Sequence, residues 1–174
     1  MKRLLLLLAL LPAPALAQGG AAADPSSAVG AVAPIYAQVR GYLLAAAEQM
    51  PDADYGFKPT PQVRSFGQLV GHVANAQYAI CAAALGETSP AQQNFEQTTD
   101  KAALVAALRA SSEYCDRAYA QSDDAALQMT QLFGGQRTRL GVLVLNTSHN
   151  FEHYGNLVTY LRLKGLVPPS SQGN

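Results

Sequence analysis

The residues able to do chemistry are few. The sequence has three histidines, and two of them, His149 and His153, are four positions apart. Four steps along an α-helix turn it by about 400°, so both imidazoles project from one side with Cβ atoms about 6 Å apart. That spacing lets two ring nitrogens reach one divalent ion at about 2.0–2.1 Å. The third, His72, falls on an apolar stripe with Leu69, Val73 and Ala76. An imidazole there buries a polar group, which an ion shared with the 149/153 pair would satisfy without adding a buried ligand charge. The competing reading is a histidine hydrogen-bonded inside a core, and spacing alone leaves both open. The pair is not a zincin motif. Asn150 stands where that motif carries its catalytic Glu, and Glu152 sits about 100° around the helix from His153, a poor general base on that geometry and more commonly a solvated helix-face residue.

These residues need helices to position them. Helix one is expected from Pro34 to Gln49, with Ile35, Val39, Tyr42 or Leu43, and Ala46 at helical spacing. Residues 50–64 hold three prolines and read as a loop. Helix two opens at Ser65, where Ser65 and Gln68 make a capping box, and runs to Leu85 before Gly86. A polar connection over 87–99 leads to helix three, Asp100 to Gln121. A second loop, 122–138, contains the turn signal Phe133-Gly134-Gly135. Helix four then runs from Thr138 to Lys164 and ends at Gly165. The expected class is all-α: a four-helix bundle with at least one crossover, because both long connections exceed a tight antiparallel turn.

The ends read as addresses and linkers. Lys2 and Arg3, the apolar run Leu4–Leu11, Pro12, Pro14 and Ala15-Leu16-Ala17 have the order of a cleavable signal peptide over residues 1–17. The run is far shorter than the ~20 residues a membrane span needs. Export to a periplasm or beyond is therefore expected, with no membrane association after cleavage. Residues 18–33 read as a flexible leader, 34–166 as the bundle and 167–174 as a loose tail. Without the first 17 residues the chain keeps about 10 basic against 12 acidic side chains, and no cationic stripe. That excludes nucleic acid as an expected partner, because phosphate neutralisation needs clustered cations. Two cysteines in an exported chain point to a disulfide, with two buried thiols as the alternative.

Three segments carry a family resemblance: Ser65-Phe66-Gly67-Gln68-Leu69-Val70-Gly71-His72-Val73-Ala74-Asn75-Ala76, Phe133-Gly134-Gly135-Gln136-Arg137-Thr138, and Asn146-Thr147-Ser148-His149-Asn150-Phe151-Glu152-His153-Tyr154-Gly155-Asn156-Leu157. Each is weak alone; in this order and separation, from about Ile35 to Gly165, the chain resembles the DinB-like (also YfiT-like) metalloenzyme family. The resemblance implies an up-down-down-up bundle whose second and third helices run parallel. It also implies a metal site at His72, His149 and His153 that takes zinc or nickel. One departure stands out: Arg and Gln often follow the last histidine in that family, whereas Tyr154, Gly155 and Asn156 follow His153 here. That puts in doubt any substrate anion such an arginine would bind. The implied parallel helices also place Cys81 and Cys115 at nearly equal depth, so the resemblance makes them a disulfide pair.

Beyond the ligands, Asn75, Asn146 and Asn156 each lie three or four residues from a histidine and are candidates to hold the ligating rings; ordinary helix-surface amides are the alternative. Tyr78 and Tyr160 read as core or pocket lining. The functional expectation is a divalent-metal-dependent enzyme acting on a small molecule, hydrolase-like or thiol-transferase-like. Two alternatives stay open: a non-catalytic metal or small-ligand binder, and a bundle with merely structural histidines. A homodimer is an open expectation, since no face is apolar enough to argue it.

Overall fold

The computed structural model describes residues 24–173; the expected signal peptide and the first six residues of the expected leader, 18–23, lie outside the described residues. Four long helices, α1 (Ala28–Gln49), α2 (Phe66–Leu85), α3 (Lys101–Ala118) and α5 (Arg139–Leu163), form an all-α bundle. Between α3 and α5 lie a single turn, α4 (Asp123–Ala126), and a two-stranded ribbon, β1 (Met129–Leu132) with β2 (Gly135–Thr138). No helix among the described residues is long and apolar enough to cross a membrane.

Local chemistry sets most boundaries. Ser65 accepts from the Gln68 amide while the Gln68 side chain accepts from the Ser65 amide, so two of the free N–H groups of α2 are satisfied. Gly86 closes α2 in the left-handed region, at φ 73°. Asp100 caps α3 and Thr138 caps α5. The leader expected over 18–33 is helical from Ala28, so the bundle begins six residues before the expected 34. Ser27 caps it, and the Asp123 carboxylate accepts from the Ala28 and Val29 amides at 2.8 and 2.9 Å. Pro34 is thus inside α1 instead of opening it. The tail is not loose either. Ser170 donates through its amide to the Tyr154 hydroxyl and accepts that hydroxyl's proton, both at 2.8 Å, and Gln49 holds the Val167 carbonyl.

The helix directions follow from contacts at matched depths. Near their N-termini Gly67 of α2 lies beside Leu104 of α3. Mid-way, the buried Gln77 accepts hydroxyl protons from Ser111 and Ser112, and further on the Cys81–Cys115 disulfide joins α2 and α3 with Cα atoms 5.3 Å apart. The two helices therefore run in the same direction. Against α5 the order reverses: Phe66 at the start of α2 lies near Tyr160, and Gly86 at its end lies against Arg139. One cluster of the core is built on Leu43, Phe66, Leu108 and Leu157. The other surrounds the disulfide with Tyr36, Ile80, Tyr119 and Leu143. Burying such side chains contributes about 1.5–3 kcal/mol each. His72 in α2 faces His149 and His153 in α5 along the antiparallel seam.

Candidate metal centre

The seam brings the three histidines together, each offering its Nε2 atom. His149 Nε2 is 3.2 Å from His72 Nε2 and 3.1 Å from His153 Nε2. One nitrogen of each ring lies within 4.8 Å of the others. Three nitrogens at ~2.05 Å from one tetrahedral ion would be about 3.3 Å apart, so the observed spacing fits a shared cation. Hydrogen bonding alone does not account for it. An imidazole nitrogen carries either one proton or one in-plane lone pair, so His149 Nε2 can complete a bond to only one of its two neighbours.

The outer ring nitrogens are consistent with that assignment. His72 Nδ1 is 2.7 Å from Glu96 Oε1; the ring donates there, which leaves its Nε2 lone pair free for an ion. Asn156 Nδ2 lies 3.4 Å from His153 Nδ1. Turned by 180°, its amide would present the oxygen and accept that ring proton. His149 Nδ1 is buried and has no partner among the described residues. His153 itself is only 7% exposed. Burial, then the neighbouring His149 and His72, push its pKa down to about 4; burial followed by His72 lowers that of His149. Both rings are therefore neutral at physiological pH, the form that ligates metal.

Glu96 was not visible as a site residue. It lies in the polar connection after α2, within a short 3₁₀ turn, Phe95–Gln97. Two α2 residues seat that turn. Gly71 lets the Phe95 carbonyl approach so closely that a Cβ at 71 would overlap it. Asn75 accepts from the Phe95 amide at 3.0 Å and donates to Asn94 Oδ1, which in turn accepts from the Glu96 amide. Arg64 then clamps the other carboxylate oxygen at 2.9 Å, and its own carbonyl accepts from Tyr160. Burial raises the Glu96 pKa, but the hydrogen bonds and charges of Arg64 and His72 outweigh it, so the carboxyl stays below its ordinary value.

The three candidate amides thus separate. Asn156 approaches a ligating ring. Asn75 instead positions the segment that carries Glu96. Asn146 is fully buried and donates to Tyr119 and towards Cys115, in the core beside the disulfide. Tyr160 borders a cleft of about 740 Å³ that also reaches Arg64, Glu152, His153 and Asn156. Glu152, expected to point away from the site, is exposed but lies on that cleft's wall. A second cleft, of about 410 Å³, opens on His72 and His149 from the side of the ribbon. Tyr78 is not among its lining residues; it stacks on Phe95 and lies near Tyr114.

Comparison with known proteins places this geometry in context. No curated protein matches the chain. Among solved structures, a DinB-like protein from Bacillus cereus superposes with a TM-score of 0.71 at 14% identity, covering 80% of this chain and 95% of that one. A DinB-like protein from Bacillus subtilis gives 0.64 at 23% identity, covering 78% and 92%. At those identities the likeness is one of fold. The DinB superfamily model matches residues 35–157, a span that takes in all three histidines, both cysteines and the ribbon. The chain belongs to the DinB superfamily.

Proposed function

We propose that the protein is an exported metalloenzyme that holds one divalent cation, zinc or nickel, on His72, His149 and His153 and acts on a small molecule. The carrying observation is the set of three Nε2 atoms separated by 3.1 and 3.2 Å across two helices. Such an ion supplies Lewis acidity to a group bound beside it, because three neutral ligands leave its charge intact. The chain's own residues hold the rings. Glu96 accepts a hydrogen bond from His72 Nδ1, Asn156 contacts His153, and Arg64 fixes Glu96. Glu152, on the cleft wall beside His153, is the candidate for moving a proton to or from substrate, and hydrolysis is the reaction class this favours. Export is supported by the signal-like N-terminus and by the disulfide, which an oxidising compartment sustains.

Purified protein is expected to retain or take up one equivalent of metal by elemental analysis, and His149→Ala to lose it. Full-length protein that binds neither zinc nor nickel would overturn the reading. A second reading, a binder without catalysis, has one observation in its favour: Glu96, the carboxylate nearest the rings, is committed to His72 and Arg64. Screening ester, amide and thiol-transfer substrates with and without chelator separates the two. Chelator-sensitive turnover abolished by His153→Ala selects the enzyme.

A further inference from the structure

The 410 Å³ cleft on the ribbon side has a chemistry of its own. Its floor is the continuation of the His72 stripe on α2, through Ala76, Ala79 and Ile80, with Leu145 one turn before His149 on α5. The ribbon contributes Phe133 from its loop and Arg137 from the third position of β2. Arg137 pairs across the ribbon with Thr130, whose hydroxyl donates to the Ala83 carbonyl of α2. Cross-strand partners share a face, so Arg137 stands on the side of the ribbon that meets α2. Arg137 is exposed, and among the described residues its side chain makes no ion pair or hydrogen bond; Arg139 and Arg162 are likewise unpaired, but of the three only Arg137 lines this cleft.

Phe133 supplies a second, independent observation. It and Gly134 form the two-residue loop of the ribbon, both at positive φ, 51° and 76°. That turn favours Asn, Asp or Gly at its first position. A phenylalanine there holds an unfavourable backbone conformation while leaving its ring 73% exposed. Nothing in the folding of the ribbon asks for it; a ring presented to the cleft does.

We propose that this cleft binds elongated apolar acids, with the anionic group on Arg137, the apolar body over Ala79 and Leu145 against Phe133, and the opposite end at the histidines. His149 lies about 15 Å along α5 from its first residue, and an arginine side chain covers part of that span. A ligand touching both ends is therefore extended, with roughly 10 Å between its polar groups. The inference rests on the metal reading for the histidine end only.

The test uses full-length metal-free protein at pH 8, titrated calorimetrically with octanoate and with 1-octanol, so that the acid end is read without the ion. Octanoate is expected to bind at least tenfold more tightly than octanol, and Arg137→Gln to remove that difference while leaving octanol unchanged. Ala79→Phe, which fills the floor, is expected to weaken both, with circular dichroism and melting confirming the fold of each variant. In zinc-loaded protein, 8-mercaptooctanoate is expected to bind more tightly than octanoate, and Arg137→Gln to weaken it at least tenfold at unchanged zinc content. Octanoate and octanol binding alike, or octanoate affinity unchanged in Arg137→Gln, overturns the proposal and leaves the metal site standing. Failure to load zinc, with Arg137-dependent octanoate binding intact, removes the metal reading and supports the acid site.

Discussion

His72 Nδ1 and Glu96 Oε1 are 2.7 Å apart, although 24 residues separate them and Glu96 belongs to no long helix. The carboxylate fixes both the ring's tautomer and its orientation, leaving Nε2 as the free lone pair beside His149. Removing such a carboxylate partner weakens metal affinity about 10–100-fold in comparable sites. Glu96→Ala is expected to weaken zinc binding by that factor in competition with a chelating indicator, while Glu96→Gln, which keeps an acceptor, loses less. Equal affinities for both variants and the native protein would show that the contact does not support the ligand.

Acidity provides a separate check. In the metal-free fold His153 titrates at about 4 against an ordinary value of 6.5. Between those two values the unfolded chain binds a proton that the folded chain refuses, so stability falls as pH drops through that window and levels off below it. The depressed Glu96 acts in the same direction, its contribution being lost as the solution becomes acid enough to protonate the folded carboxyl. The melting temperature of chelator-treated protein is expected to decline from pH 7 to 4.5. His153→Leu should flatten that decline; a melting temperature that rises on acidification contradicts it.

The Cys81–Cys115 disulfide closes a separation of 34 residues. On the chain-entropy account a crosslink of that span contributes about 4 kcal/mol. Reduction, or the pair Cys81→Ala and Cys115→Ala, is expected to lower unfolding free energy by about 2–4 kcal/mol in denaturant titration. Because both sulfurs lie in the cluster away from the histidines, metal stoichiometry should be unchanged.

Relieving the turn at Phe133 makes a fourth expectation. Phe133→Asn places a residue that tolerates the left-handed region at φ 51° and is expected to stabilise the protein by about 1 kcal/mol. The same substitution removes the exposed ring and should weaken octanoate binding. A variant less stable than the native protein would mean that the ring packs usefully in the free fold.

What could be read from the sequence, and what could not, divides along the range of the interactions involved. Ser65 with Gln68, and Gly86, act within one turn of their own helix, so both ends of α2 were legible. The 149/153 pair was equally local. Its meeting with His72 needed the resemblance, because no spacing rule connects residues 77 apart. The start of α1 was misplaced because its cap includes Asp123, some 95 residues away, and because Pro34 carries a stronger local signal than Ser27. Glu96 escaped for a similar reason. It lies in an aperiodic polar stretch, and only Gly71 and Asn75, reaching across from α2, bring it to the ring. The ribbon between α3 and α5 was visible only as its turn, since four-residue strands carry too little alternation to register.

The disulfide and the histidine cluster both include α2. One fastens it covalently to α3; the other, when loaded, clips it to α5. Of the four long helices only α1 is secured by neither, and its hold on the rest comes from core side chains such as Tyr36 and Leu43, the Asp123 cap, and the ion pairs Arg40–Asp116 and Glu48–Arg109 to α3. Partial opening of the native protein is therefore expected to start by peeling α1 away from a stapled three-helix remainder. In hydrogen exchange its amides should be the first of the long helices to yield, and added zinc or nickel should slow α2 and α5 more than α1.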